Sequence, residues 1–157
     1  MNPIAFQDQY PEADSHCYGC GRSNLSGHQL KSYWVDDSPN ETIARFTPAS
    51  YWTGGVPNHV YGGLIASLLD CHGTASASAF KARADQSDSD SPNPGTLPRC
   101  VTASLKVDYL KPTPIGVELE LRGELVNIER RKIFVRLSLR ANDTVCATAE
   151  MLAVQIQ

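Results

Sequence analysis

Pro57-Asn58-His59-Val60-Tyr61-Gly62-Gly63-Leu64-Ile65-Ala66-Ser67-Leu68-Leu69-Asp70 is the stretch whose reading decides the fold. A glycine pair opens an apolar helical pattern, and a lone carboxylate follows. From Leu64 to Ala79 the residues are almost all apolar or small, with Leu64, Leu68, Cys71 and Ala75 on one stripe and Ile65, Leu69, His72 and Ser76 beside it. That is helical spacing with little polar face, so the helix is expected to be largely buried. Asp70 is the only carboxylate between Glu41 and Asp85. A buried ionised group is costly unless something pairs with it or uses it.

Outward from the helix, the chain reads as β-strand. Upstream, Gln29 to Asp36 and Glu41 to Phe46 are strands of a hairpin joined by the turn-rich Asp36-Asp37-Ser38-Pro39-Asn40, and Pro48 to Pro57, with Gly54-Gly55, is a loop leading to the helix. Downstream, Val101, Ala103, Leu105, Val107 and Tyr109 alternate with Thr102, Ser104, Lys106 and Asp108, the signal of a half-buried strand. The alternation returns in Val117, Leu119 and Leu121, then in Ile133, Val135, Leu137 and Leu139, and finally from Cys146 to Ile156. Pro112 and Pro114 end the first of these strands, Glu129-Arg130-Arg131-Lys132 turns the next, and Asn142-Asp143 is a two-residue hairpin signal. No helix lies between them, so the pairing must be antiparallel. The expectation is an α+β architecture with five to six antiparallel strands around one long central helix.

The 157 residues read as a single domain able to bury a sizeable core. Residues 1–27 are polar, punctuated by Pro11, Gly19, Gly21 and Gly27, and are expected to form a poorly periodic lead-in with a short helical turn. Residues 85–98, acidic and Ser-rich from Asp85 to Gly95, are expected to be a mobile surface loop rather than a domain boundary. A net charge of −3 gives no nucleic-acid footprint. No basic run suggests a membrane surface, no apolar run nears spanning length, and the first residues lack a signal-peptide pattern, which makes the cytoplasm the default.

Five cysteines, an odd and scattered number, do not read as a disulfide framework, and reduced thiols are expected. Cys17-Tyr18-Gly19-Cys20 suggests zinc or redox chemistry. A structural zinc site needs four ligands, however, and the sequence has no second CxxC and no HxxxH, with only His16 and His28 nearby. The expectation is no metal and two small buried thiols in a tight turn.

Val60-Tyr61-Gly62-Gly63 with Asp70 resembles the HGG-x-x-x-x-x-x-D signature of hotdog-fold acyl-CoA thioesterases of the phenylacetic-acid-degradation (PaaI-like) type. Pro57-Asn58-His59-Val60 is similar to the family's PG-x-V approach, and Val101 to Pro112 to its strand ending in Y-x-x-P. Arg131-Lys132-Ile133-Phe134-Val135 and Cys17-Tyr18-Gly19-Cys20-Gly21 with Asn24 and Gly27 extend the likeness over nearly the whole chain after residue 16. It implies a hotdog fold, an acyl-CoA or carrier-protein thioester as substrate, no cofactor beyond the coenzyme A of that substrate, and a homodimer that can pair into a dimer of dimers. Two positions depart from the pattern. The histidine of HGG is Tyr61, and the asparagine some members carry six residues earlier is Gly55. Tyr61 can donate a hydrogen bond through its hydroxyl, but a phenol does not exchange protons near neutral pH as an imidazole does. Thr102 matches a hydroxyl that in some members orients the attacking water, the plainer alternative being an ordinary strand threonine. The resemblance also sets Asn58 and His59 against substrate. It makes Arg130, Arg131 and Lys132 holders of the coenzyme A phosphates, with Lys111 or Arg99 nearby, unless they are only a solvated turn.

The residues suggest the same chemistry by themselves. Thioester hydrolysis needs an attacking water or carboxylate and a donor for the oxygen that becomes negative. The N–H groups of Gly62 and Gly63 stand where a helix begins, where unpaired donors and the helix dipole favour an anion. Asp70 is the natural general base or nucleophile, yet it lies roughly 10 Å further along the axis. One chain cannot bring both to one carbonyl, so the site is expected to be shared across a twofold dimer of antiparallel helices, with Ala66, Ser67, Gly73 and Thr74 letting backbones come close. Three alternatives stand beside this. In one, Asp70 is a structural carboxylate bonded by Thr74 or a strand. In the others, the protein is a non-catalytic binder of acyl-thioesters or hydrophobic ligands, or a hotdog hydratase or dehydratase, which is disfavoured because Ala75 stands where a histidine five residues after Asp70 would be. Cys71 and His72 point about 100° apart on a helix and cannot form a dyad, leaving His72 as a packed or dimer-contact residue.

Overall fold

A computed structural model of the chain describes residues 2–87 and 97–156. After two short 3-10 turns, Phe6–Gln9 and Glu12–Asp14, come β1 (Ser32–Trp34), β2 (Glu41–Phe46), α1 (Gly62–Gln86), β3 (Cys100–Tyr109), β4 (Leu119–Glu129), β5 (Lys132–Ala141) and β6 (Thr144–Gln155). The six strands form one antiparallel sheet in the order β1-β2-β4-β5-β6-β3. The helix lies against one face of it, with Leu64, Leu68, Leu69 and Phe80 packed in one core with Leu119, Leu121, Ile133, Leu137 and Leu139. This is the hotdog arrangement.

The helix outruns its apolar pattern, continuing from Ala79 to Gln86. Lys81, Ala82, Arg83 and Ala84 are good helix formers, and Lys81 pairs with Asp85 one turn on. Asp85 and Gln86 are therefore helical rather than part of a loop, and residues 88–96 of the expected mobile loop lie outside the described residues. Gln29 takes a left-handed backbone (φ 57) and its amide donates to the Gly21 and Asn24 carbonyls, so the first strand starts later than its composition suggests. The lead-in does more than its polarity predicts. Phe6 and Tyr10 are buried with Ala75, Ala79 and Leu97, and the Tyr10 hydroxyl lies 2.9 Å from Ser78 Oγ, closing the far half of the helix.

Gly73 faces the chain's own sheet. A Cβ there would meet Met151 and Leu137 side chains at 2.5–2.9 Å, so this glycine lets helix and sheet approach within one chain rather than between chains. His72 is fully buried with Nδ1 2.9 Å from Ser32 Oγ and Nε2 3.4 Å from Thr42 Oγ1, a packed residue and not a dimer contact. Desolvation pushes its pKa down to about 3, with the Thr42 backbone opposing the shift. An imidazole held neutral in the fold but free to charge near pH 6.5 when unfolded stabilises the protein fully above that pH, and the stability is lost as pH falls towards 3. Urea unfolding should show stability declining by about 1.4 kcal/mol per pH unit across this window, or about 2 kcal/mol between pH 6.5 and 5. His72→Gln should flatten that slope, and an unchanged slope would assign the acid sensitivity to other groups.

One strand departs from expectation. β3 was to be half-buried, yet only Cys100 is buried; Leu105 and Val107 are partly covered and Val101, Ala103 and Tyr109 are exposed. The reason is its place at the sheet's edge, with β6 on one side and no other strand among the described residues on the other. The opposite edge strand, β1, has three residues, against ten in β3. Among the described residues no helix is long and apolar enough to cross a membrane.

Candidate active site

The loop before the helix is pinned by backbone bonds. Gly54 N–H donates to the His59 carbonyl at 2.8 Å, Val60 N–H to Thr113 at 2.8 Å and Tyr61 N–H to Trp52 at 3.2 Å. Asn58 makes the required turn with φ 67, and its carbonyl accepts from Ile115 N–H at 3.1 Å. Tyr61 is the N-cap, in extended conformation and with no side-chain cap. A helix start without a cap leaves its first N–H groups free for another acceptor. Those groups belong to Gly62 and Gly63, both exposed. Beside them is a cleft of about 440 Å³ lined by Gly54, Gly55, His59, Tyr61, Gly62 and Pro112, among others. The absent Gly55 side chain leaves open space there.

Three further side chains shape this mouth. The Tyr61 ring, 42% exposed, lies over Gly63, where a Cβ would meet it at 2.5 Å. The Tyr109 hydroxyl donates to the Gly62 carbonyl at 2.9 Å and holds the first helical turn against the end of β3. His59 lines the cleft, and its Nδ1 is buried with no partner among the described residues. Asn58 contributes its backbone turn and is not among the cleft-lining residues.

Two helical turns further on, Asp70 is half-buried and Thr102 Oγ1 donates to its Oδ1 at 2.5 Å. The Thr74 hydroxyl donates to the backbone carbonyls of Asp70, at 3.1 Å, and Cys71, at 3.3 Å, and not to the Asp70 carboxylate, which is therefore not tied down within the helix. Thr102 sits at a register shift between Thr102 and Ser104, a bulge that re-aims a side chain at a strand edge. The two halves of the expected site thus stand at opposite ends of β3, Gly62 beside Tyr109 and Asp70 beside Thr102.

The cationic turn lies at the Thr102 end. Thr102 is in register with Ala153 of β6, Ala153 with Ile133 of β5, and Gln155 N–H donates to the Arg131 carbonyl at 2.8 Å. Arg130 (φ 58), Arg131 and Lys132 are exposed around an open surface depression that also includes Glu129 and Val154. Arg99 belongs to the same end, its carbonyl accepting from Ile156 N–H at 2.9 Å. Lys111 does not. Its N–H bonds Cys146 at the far end of β3, because β3 spans the sheet between residues 99 and 111.

The fold adds a third thiol to the CxxC pair. Cys17, Cys20 and Cys71 bring their sulfurs within 4.8 Å of one another. Cys71 lies on the central helix, out of reach of any spacing rule; only the unpaired count of cysteines could have hinted at a third partner.

A family model described as the thioesterase superfamily matches residues 57–152. Among solved structures, a thioesterase superfamily protein from Shewanella loihica is 44% identical, with a TM-score of 0.68 over 94% of this chain and all of that one. The E. coli PaaI protein from the phenylacetic acid degradation operon shares the fold at 14% identity, with a TM-score of 0.60 over 74% of this chain and 73% of that one. Acyl-coenzyme A thioesterase THEM4 from Rattus norvegicus is 33% identical over 89 residues, which are 57% of this chain and 31% of the relative. The same enzyme from Xenopus laevis is 28% identical over 118 residues, 73% of this chain and 44% of that one. The chain spans less than half the length of these curated relatives.

Proposed function

We propose, from the premise that this chain belongs to the thioesterase superfamily, that it hydrolyses acyl-CoA thioesters at a site formed between two copies. The observation that carries this reading is the placement of the free helix N–H groups and of the carboxylate at opposite ends of an edge strand that no other described strand pairs with on its outer side. Two β3 strands pairing antiparallel about a twofold axis would set the Tyr109–Gly62 end of one chain against the Thr102–Asp70 end of its partner. Apolar side chains on β3, exposed in one chain, would then be covered. The names of the THEM4 relatives supply the substrate class.

In this site the thioester carbonyl oxygen takes hydrogen bonds from Gly62 and Gly63 N–H, strengthened by the helix dipole. Asp70 of the partner accepts a proton from water as the water oxygen bonds to the carbonyl carbon. Thr102 holds that carboxylate in position through its hydroxyl. Collapse of the tetrahedral intermediate breaks the C–S bond, and the proton returns from Asp70 to the departing sulfur, giving a carboxylic acid and free coenzyme A. Tyr61 and His59 border the cleft that receives the thioester, and Arg130, Arg131 and Lys132 face the coenzyme phosphates. No step requires a metal or redox cofactor.

A thiol-release assay over aliphatic and aromatic acyl-CoAs tests the proposal. Turnover is expected for at least one class, with acyl-pantetheine analogues showing KM raised about fivefold or more through loss of the surface phosphate contacts. Saturable binding of acyl-CoA with no thiol released would instead identify a non-catalytic binding protein, the alternative that the tyrosine at position 61 favours.

A further inference from the structure

The loop around Cys17 is built like a metal-binding knuckle. Gly21 N–H donates to the Cys17 carbonyl at 2.8 Å, and a Cβ at Gly21 would collide with the Ser15 and Cys17 backbone. Gly19 is equally constrained, because any side chain there would strike the Cys71 sulfur. Both glycines are thus required for the CxxC turn to close and for the central helix to present its own thiol to it. Cys17 Sγ stands 3.8 Å from Cys71 Sγ. Zn–S bonds of about 2.3 Å in a tetrahedron give S···S edges of about 3.8 Å. With all three sulfurs within 4.8 Å of one another, a metal needs to draw the widest pair together by no more than about 1 Å.

We propose that Cys17, Cys20 and Cys71 bind one zinc ion as a three-thiolate site that fastens the lead-in segment to the central helix next to Asp70. Its fourth position is open to a solvent ligand, since Cys17 is only half-buried while Cys20 and Cys71 are buried. Three sulfurs gathered this closely suit a soft divalent cation, which neutralises the thiolates that ligation creates.

The test uses the intact chain, expressed with zinc in the medium and purified under reductant without chelator. Elemental analysis is expected to return about one zinc per chain. Cobalt added to chelator-stripped protein should give a thiolate-to-cobalt charge-transfer band and intense tetrahedral visible bands that zinc bleaches. Stripping should lower Tm by about 5 °C or more. Cys71→Ser and Cys17→Ser should lose the cobalt charge-transfer intensity in proportion to the missing sulfur and bind zinc at least tenfold more weakly, whereas Cys146→Ser should match the parent. Metal-free protein with no cobalt band, a disulfide among the three cysteines under these reducing conditions, or undiminished binding in Cys71→Ser would each overturn the proposal. The parent protein's own metal content and cobalt spectrum decide the matter even if a cysteine variant fails to fold. None of these measurements depends on thioester hydrolysis.

Discussion

Asp70→Asn is expected to lower kcat for acyl-CoA hydrolysis by about 1,000-fold, within the range for loss of a positioned general base. The substitution keeps the size and shape of the side chain and an oxygen that can accept the Thr102 hydroxyl bond. What it removes is the ability to take a proton from water. KM, oligomeric mass and Tm should therefore stay close to those of the parent, because the loss falls on the transition state alone. A structural carboxylate would behave in the opposite way, with Tm falling and the rate per folded molecule nearly constant. Steady-state kinetics beside differential scanning calorimetry separates the two, and a variant retaining more than about a tenth of kcat would remove Asp70 from the chemistry.

The second large effect is a recovery of activity. Gly62→Pro takes away one N–H donor while respecting the helix, since proline is well suited to the first helical position and Tyr61 already has the extended backbone (φ −68, ψ 146) that a following proline demands. This variant is expected to lose about 100-fold or more in kcat, as for removal of one oxyanion donor. Mixed with Asp70→Asn under conditions that exchange subunits, the two inactive proteins should regain about a quarter of the parental activity, because half of the dimers are mixed and each carries one intact site of two. A site contained within one chain gives no recovery at any mixing ratio. Such a result would leave superfamily membership untouched but end the shared-site mechanism.

The helix and most strands were legible because their periodicity is strong and their turns are chemically explicit. β2 begins and ends where its composition places it, and Asn142-Asp143 joins β5 to β6 with Asn142 at φ 52. What sequence could not give is anything set by the approach of distant segments. Phe6 and Tyr10 pack on the helix from a segment too polar to show a period. Gly73 was matched to an interface although Met151 and Leu137 fill the space opposite it. Tyr109 bonding the Gly62 carbonyl, and Cys71 joining the CxxC turn, are tertiary facts with no local signature. The alternation in β3 marked a face that must be covered, but alternation does not say whether the cover comes from the same chain.

The uneven edges of the sheet have a consequence for handling and for life in a crowded solution. A lone chain offers the ten-residue ladder of β3, where Val101, Ala103 and Tyr109 are exposed and the stretch from Cys100 to Leu105 carries no charge. Such a border is a template for indiscriminate strand addition. Dilution or partial denaturation should therefore produce sedimenting aggregates before it produces soluble unfolded chains, and a lysine introduced at Val101 should delay them.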